Sequence, residues 1–194
     1  MSVNILICGT GGQGTVLAAK LLDNAALLCR LPVHSAETIG MAQRGGSVVS
    51  HVRIGEKCWS PLIPLGQADM IIAFEITEAV RNIPYLKKGG TAVVNKKLMA
   101  SSVCAGKEIP ADENSLLDFL NKNCGSVCVV DSEKICAELG SSKAVNTILL
   151  GAAAAKGIGG LSLESLEDAV KTTVKPTFVE LNISALRMGF GGTK

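Results

Sequence analysis

The sequence has few aromatic residues, no long run of one charge and no long apolar stretch. Aromatics make up 3% of its 194 residues, the formal net charge is +2, and no basic run exceeds two residues. This pattern argues against nucleic-acid binding, which needs a clustered basic surface. The longest apolar stretch, residues 144–155, is too short to span a bilayer, and the start of the chain lacks the basic segment of a signal peptide. We therefore expect a cytoplasmic protein that does not bind a membrane.

The cysteines are also notable for what they lack. Seven are present, but none forms a C-x-x-C pair, and their number is odd. Without a secretory signal, this usage predicts reduced thiols rather than disulfides. Because the cysteines lie in apolar segments without ligand spacing, we predict that they pack as small buried residues and that the chain has no metal site.

The first 29 residues predict a strand, a tight turn and a helix. Residues 3–8 form a short apolar run, and residues 15–29 carry apolar side chains at helical spacing. Between them lie four glycines in six positions, Gly9, Gly11, Gly12 and Gly14, with Gln13 before the last. Three of them, Gly9, Gly11 and Gly14, are in G-x-G-x-x-G register. Such a loop presents backbone N–H groups to a phosphate at a helix start. The same glycines also suit simple close packing of helix on strand, and the motif alone does not decide between these interpretations.

A dinucleotide site would need an acidic residue about 20 positions further on, to bind a ribose. Asp23 lies within the predicted helix and cannot serve. Glu37 follows the short segment 33–36 and lies near the required place. The pattern therefore favours a nucleotide-binding type of fold without predicting bound NAD.

The remaining chain predicts one α/β domain over residues 1–194. Two continuous apolar runs, 69–74 and 91–95, are typical of interior parallel strands. Residues 47–54 alternate in polarity, and Gly55-Glu56 predicts a turn into Lys57–Ser60, which gives an antiparallel hairpin. Helical patterns dominate the last third, with Gly189 as the predicted stop of the final helix. We predict a Rossmann-like, open, mainly parallel sheet with helices on both faces and one antiparallel hairpin.

Three predicted strands end in polar residues: Glu75, Asn95 and Asp131. The carboxyl ends of parallel strands meet at one edge of a sheet, where ligands bind in open α/β folds. Each residue is equally typical of a helix cap or a turn. Asn95 is therefore a candidate ligand-binding residue at this edge.

Residues 40–53, Gly-Met-Ala-Gln-Arg-Gly-Gly-Ser-Val-Val-Ser-His-Val-Arg, together with residues 9–14, closely resemble the γ-type subunit of 2-oxoacid:ferredoxin oxidoreductases. The segments 85–90 and 93–95 are also similar to that family, so the resemblance covers nearly the whole chain. Within the family, Met41 to Ser47 is most similar to the β subunit of the indolepyruvate branch.

The resemblance implies a subunit of an enzyme that oxidatively decarboxylates an aryl 2-oxoacid to an acyl-coenzyme A and reduces ferredoxin. It implies that thiamine diphosphate, Mg and 4Fe-4S clusters lie in a large partner subunit, with coenzyme A as a candidate ligand at the interface. The sequence agrees, because it has neither a Gly-Asp-Gly segment nor cysteines spaced for a cluster. The isolated chain is therefore expected to be inactive.

The same resemblance makes Arg44 and Gln43 candidates for the intersubunit active-site cleft, with Met41, Gly45 and Gly46 beside them. An arginine can bind a carboxylate or phosphate through two hydrogen bonds, and two glycines allow close backbone approach. The alternative for Arg44 is an ordinary surface ion pair. Two further hypotheses stay open at this point: a stand-alone NAD- or flavin-dependent oxidoreductase, and a non-catalytic nucleotide-binding module.

Overall fold

The computed structural model describes residues 2–38, 40–56, 59–98 and 112–192, with Gln43 described by its backbone only. Within these ranges one six-stranded sheet has the order β2-β3-β1-β4-β5-β6. β3 pairs antiparallel with β2 and β1, whereas β1, β4, β5 and β6 are mutually parallel. The strands are β1 (Val3–Thr10), β2 (Val33–Glu37), β3 (Ser47–Ile54), β4 (Ala68–Ala73), β5 (Leu86–Asn95) and β6 (Ser126–Val130).

Helices cover both faces of this sheet. One hydrophobic cluster joins the Ile5 and Ile7 face of β1 to five of the helices, and a second joins the Leu6 and Cys8 face to α2 and α3. The predicted fold class is therefore confirmed. The helices of the described ranges are α1 (Thr15–Leu28), α2 (Ile76–Asn82), α3 (Glu113–Asn123), α4 (Ser132–Leu139), α5 (Val145–Lys156), α6 (Leu163–Thr173) and α7 (Pro176–Gly191). None of them is long and apolar enough to cross a membrane.

The predicted turn at Gly55-Glu56 does not produce a hairpin in the described residues. Lys57 and Cys58 lie outside them, and Trp59 and Ser60 form bends rather than a strand. β3 instead pairs along the whole of β1, from Val3 opposite Ile54 to Thr10 opposite Ser47. The physical reason is that both edges of β3 are already paired, one with β1 and the other with β2, so no edge is left for an arm after Gly55-Glu56.

His51 and Arg53 are not the simple strand-surface residues that the alternation suggests. The segment 59–67 folds over them, and the N–H of Ile63 donates to His51 Nδ1 at 3.2 Å. Arg53 Nη1 donates to the backbone oxygens of Ser60 and Leu62. Burial lowers the pKa of His51 from its ordinary 6.5. These two side chains therefore fasten a connecting segment to the sheet.

Two predictions about glycine are also wrong. Gly89-Gly90, predicted as a turn, lies inside β5, where Gly89 has φ of 80° and the pairing of β5 with β4 is irregular between Leu86 and Thr91. Gly189 does not end α7, which continues to Gly191. A Cβ on Gly189 would lie 2.0 Å from the Ile148 oxygen, so this glycine permits close contact between α5 and α7.

The cysteine prediction holds for some positions and fails at one. Cys8, Cys128 and Cys136 are buried and free, whereas Cys29 follows α1 and is exposed. Exposure there is natural because α1 ends at Leu28 and the chain turns toward β2 at the surface.

Candidate functional site at the carboxyl edge of the sheet

The glycine loop, residues 9–14, turns the chain from β1 into α1. Gly12 and Gly14 have φ of 96° and 93°, a left-handed conformation that favours glycine. Gly14 is the N-cap of α1, and no side chain caps this helix. The first N–H groups of α1 are therefore directed to the edge of the sheet with the positive end of the helix dipole, as the phosphate-binding hypothesis requires.

Gly9 and Gln13 have an internal role in this loop. A Cβ on Gly9 would lie 2.6 Å from Gln13 Oε1 and 2.9 Å from Phe74 Cβ, so Gly9 serves close packing at the end of β1 rather than the turn. Gln13 Oε1 accepts a hydrogen bond of 2.7 Å from the N–H of Thr10. The side chain thus stabilises the conformation in which Gly12 and Gly14 face outward.

The structure brings the two motifs of the sequence together. Because β3 runs antiparallel to β1, its first residue, Ser47, lies beside Thr10 at the end of β1. The N–H of Gly11 donates to the oxygen of Gly46 at 2.9 Å. A Cβ on Gly46 would lie 2.9 Å from Ala42 Cα, so the 3-10 turn Met41–Gln43 packs directly on this glycine. The glycine loop and the segment 40–46 therefore form one continuous edge.

Arg44 and Met41 are exposed on that edge. Met41 is 74% exposed, and among the described residues the Arg44 side chain has no hydrogen bond or ion pair. Gly45 has φ of 94°, so the backbone reverses immediately after Arg44. The guanidinium is therefore presented to solvent or to a partner rather than to the core of this chain. The Gln43 side chain lies outside the described part of the structure.

Two buried carboxylates lie beneath this edge, and sequence reasoning did not single out the second. Glu75 is 4% exposed and Glu78 is 3% exposed. Thr10 Oγ1 donates to Glu75 Oε1 at 3.2 Å, and Ser47 Oγ donates to Glu78 Oε2 at 2.5 Å. Glu75 thus contacts the glycine loop through Thr10, and Glu78 contacts the second motif through Ser47. The available signal was the spacing of the two acids by three residues at the start of a short helix, which places both near one face.

Arg81 and Cys8 lie next to these two buried carboxylates. Arg81 Nε lies 3.1 Å from Glu78 Oε1, which partly neutralises the buried charge. Cys8 lies below the carboxylates, and its thiol donates to the oxygen of Glu78 at 3.5 Å. Burial, followed by the negative charges of Glu78 and Glu75, raises the pKa of the Cys8 thiol well above its ordinary value. Cys8 is therefore held as a neutral thiol and is not a nucleophile.

Asn95 and Asp131 have structural partners at the same edge. Asn95 Nδ2 donates to the oxygen of Phe74 at 3.2 Å, and the N–H of Ser132 donates to Asn95 Oδ1 at 3.4 Å. Asp131 caps α4 by accepting from the N–H of Lys134. Asn95 thus ties β4 and α4 together, while its side chain still borders an open cavity.

Two openings flank the glycine loop. The first, here called the α1 groove, has a volume of about 530 Å³ and is bordered by Gly12, Thr15, Lys20, Thr38 and Val48 among others. The second, here called the edge cavity, has a volume of about 570 Å³ and reaches from Gly12 to α4 and α5. Both lie where α1 and α2 leave β1 and β4 toward opposite faces of the sheet. This switch in direction is the usual place of ligand binding in open α/β sheets.

The strand order argues against a dinucleotide site. Glu37 ends β2, but β2 is separated from β1 by the antiparallel β3. In a dinucleotide fold the strand that carries the ribose-binding acid lies parallel beside the first strand. Glu37 is therefore not placed to bind a ribose at the glycine loop.

The donor set of the described residues does not fit a resident metal or iron–sulfur cluster. No three His, Cys, Asp or Glu side chains converge in the ranges 2–38, 40–56, 59–98 and 112–192. The cysteines described there are dispersed over separate elements.

Comparison with solved structures defines the class of fold. The pyruvate oxidoreductase subunit PORC from Thermotoga maritima superposes with a TM-score of 0.73 at 24% identity, over 98% of this chain and 96% of that chain. This similarity extends to the whole length of both chains. The class is thus the small α/β subunit fold seen in that protein.

The sequence comparisons establish the family. The model for pyruvate ferredoxin/flavodoxin oxidoreductases matches residues 4–191, and the chain belongs to that family. It is 38% identical to the indolepyruvate oxidoreductase subunit IorB of Archaeoglobus fulgidus, over 98% of this chain and 94% of the relative. It is 28% identical to the pyruvate/ketoisovalerate oxidoreductases common subunit gamma of Thermococcus kodakarensis, over 98% and 97% respectively.

Proposed function

We propose that this chain is the smaller subunit of an indolepyruvate-type 2-oxoacid:ferredoxin oxidoreductase. The observation that carries the proposal is the difference in identity between the two kinds of relative, 38% for the indolepyruvate subunit and 28% for the pyruvate/ketoisovalerate subunit. The reaction takes an aryl 2-oxoacid and coenzyme A to an acyl-coenzyme A and carbon dioxide, and the two electrons released pass to ferredoxin.

The chemistry belongs to a large partner subunit in this proposal. Thiamine diphosphate with Mg would supply the carbanion chemistry there, and 4Fe-4S clusters would carry the electrons. The described residues of the small subunit offer no ligand set for either group. Its own contribution is to bind, orient and enclose the substrates at the interface.

Arg44 is the residue we assign to the intersubunit cleft, with Gln43, Met41, Gly45 and Gly46 beside it. The left-handed Gly45 and the hydrogen bond from the N–H of Gly11 to the oxygen of Gly46 position the backbone next to Arg44 at the edge of the sheet. A planar guanidinium can form two parallel hydrogen bonds to a carboxylate or phosphate. We assign to Arg44 the binding of an anionic group of the substrate, of coenzyme A or of the large subunit.

Coenzyme A is assigned to the α1 groove. The N-terminus of α1 and the ammonium group of Lys20 both border this groove, and both attract phosphate. Its volume of about 530 Å³ is adequate for part of a nucleotide and leaves the thiol arm free to reach the partner subunit. Gly12 and Gly14 allow the ligand to approach the backbone closely.

Reconstitution tests the proposal. The chain is purified alone and together with a large subunit of an indolepyruvate oxidoreductase, and reduction of a dye acceptor is followed with indolepyruvate and coenzyme A. We expect turnover from the complex, none from the chain alone, and a higher kcat/KM for indolepyruvate than for pyruvate. Turnover by the isolated chain would contradict the assignment.

A matched pair of lysine variants tests the coenzyme A assignment. Lys20→Gln should raise the KM for coenzyme A by roughly tenfold, because one charge-assisted hydrogen bond is lost. Lys122→Gln, on exposed α3, should leave it unchanged. An unchanged KM in Lys20→Gln would remove coenzyme A from this groove without affecting the family assignment.

A further inference from the structure

The edge cavity is lined by charged and polar side chains to which the proposed function assigns no role. It lies on the other side of the glycine loop from the α1 groove, between the ends of β4 and β5 and the starts of α4 and α5. Residues that border it and bear on its charge are Lys97, Glu133, Lys143 and Asn146, together with Gly12 and Gly14 of the glycine loop.

Three helices begin at this cavity. Gly14, Ser132 and Val145, at the starts of α1, α4 and α5, all line it. α1 and α5 have no side-chain cap, so the free N–H groups of their first turns are not satisfied by a capping side chain. Because Asp131 already caps α4, the uncapped starts of α1 and α5 contribute most of the partial positive charge that favours an anion here.

Two lysines add full positive charges. Lys97 and Lys143 border the cavity from opposite sides, one after β5 and the other before α5. Glu133 is the carboxylate among the described lining residues; it is largely exposed, and Lys97 lies 3.8 Å from it. Lys143 lies over the ring of Phe178, which holds the ammonium near the cavity without neutralising it. The lining therefore carries a net positive charge.

Asn146 supplies an independent observation. It lies in the first turn of α5, is 4% exposed and lines the cavity, and its Oδ1 has no hydrogen-bond partner among the described residues. The next polar side chain of the helix has a partner, because the single O–H of Thr147 lies within reach of Asn182 Oδ1 at 2.7 Å and of Ala144 O at 3.0 Å and donates to one of them. A buried amide oxygen without a hydrogen-bond partner is costly unless a ligand supplies one. Rotation about χ2 lets this amide present either its oxygen or its nitrogen.

We propose that the edge cavity binds the phosphoryl group of a small phosphorylated ligand, separately from the α1 groove. Helix starts and ammonium groups that converge from three directions suit a tetrahedral oxyanion with several charges, and Asn146 binds either a phosphate oxygen or a ligand hydroxyl. Because coenzyme A is assigned to the α1 groove, we assign this phosphoryl group to a free phosphorylated metabolite, and competition with coenzyme A tests the assignment.

The test uses the full chain and inorganic pyrophosphate as the probe, with binding measured by calorimetry at low salt. We expect saturable binding, weakened roughly tenfold or more by Lys143→Gln and further by the Lys97→Gln, Lys143→Gln double variant. Asn146→Asp places a carboxylate at the cavity and should abolish binding. Absence of saturable binding to the unaltered chain would overturn the proposal.

Two controls separate this site from the α1 groove. Lys122→Gln should bind pyrophosphate as the unaltered chain does, and Lys20→Gln should retain the binding that Lys143→Gln weakens. Loss of that binding in Lys20→Gln but not in Lys143→Gln would place the anion in the α1 groove and overturn the proposal. Competition by coenzyme A would identify its diphosphate as the source, and lack of competition would identify a free metabolite. Because pyrophosphate binding is measured without turnover, its outcome does not depend on the reconstitution assay.

Discussion

The exposure of Arg44 can be predicted from the sequence, whereas its position beside the glycine loop cannot. The motif Gln-Arg-Gly-Gly predicts an exposed guanidinium, and the structure presents one, because Gly45 reverses the backbone and Gly46 packs on Ala42. What the sequence cannot supply is the distance between this segment and the glycine loop. That distance depends on β3 pairing with β1, a contact between residues more than thirty positions apart.

Arg44→Lys tests whether the guanidinium acts at the interface. Lysine keeps the positive charge but cannot form two parallel hydrogen bonds, so turnover of the reconstituted complex should fall by roughly tenfold or more. The thermal unfolding of the isolated chain should not change, because the side chain has no partner among the described residues.

Arg30→Lys is the matched control for this variant. Arg30 is exposed beyond the opposite end of α1, so the same change of side chain should leave both turnover and unfolding unaltered. If Arg44→Lys lowers the melting temperature but the complex remains fully active, Arg44 is structural and our assignment is wrong.

At the scale of elements, the sequence predicts local structure well and pairings poorly. The interior strand β4 lies within one residue of the predicted run 69–74, because local burial determines it, whereas β5 begins at Leu86, before the predicted run 91–95. The prediction of a hairpin at Gly55-Glu56 was wrong because a turn signal in the sequence does not show which strands will pair with β3. The prediction that Gly189 ends α7 was wrong for a similar reason. The sequence alone does not distinguish a glycine at a helix–helix contact from a glycine at a helix end.

The contact of α5 with α7 gives a test at this scale. A Cβ on Gly151 would lie 2.0 Å from the backbone oxygen of Leu186, which cannot move without displacing α7. Gly151→Ala should therefore lower the free energy of unfolding by about 1–3 kcal/mol, even though alanine has the better helix propensity. Urea unfolding of the two chains measures the difference.

Gly191→Ala is the matched control. This glycine lies in α7, whereas Gly151 lies in α5, and nothing within 4 Å would contact a Cβ at position 191. Its substitution should leave stability unchanged or raise it by up to about 1 kcal/mol. If both variants behave alike, helix propensity and not the contact between α5 and α7 decides the effect.

Across the whole molecule, the sheet has two unequal halves. The parallel half, β1 and β4 to β6, is covered on both faces and carries the ligand openings at its carboxyl edge. The antiparallel β3 brings the segment 40–46 to that edge. On the second face the segment 59–67 covers β3 through His51 and Arg53. β3 thus connects the segment 40–46, which we assign to the interface, with the segment 59–67, whose contact with the sheet depends on the protonation state of His51.

His51 makes that stability depend on pH. Burial lowers its pKa in the folded chain, so in the range between that value and the ordinary 6.5 the unfolded chain binds the proton more readily. The free energy of unfolding should therefore fall as the pH decreases through about 6.5, and continue to fall until the folded chain is protonated as well. Protonation also removes the lone pair of Nδ1 that accepts from the N–H of Ile63. Urea unfolding at pH 7.5 and 5.5 measures this loss; His51→Gln should reduce it, and exposed His34→Gln should not. An equal loss in all three chains would assign the pH dependence to other groups.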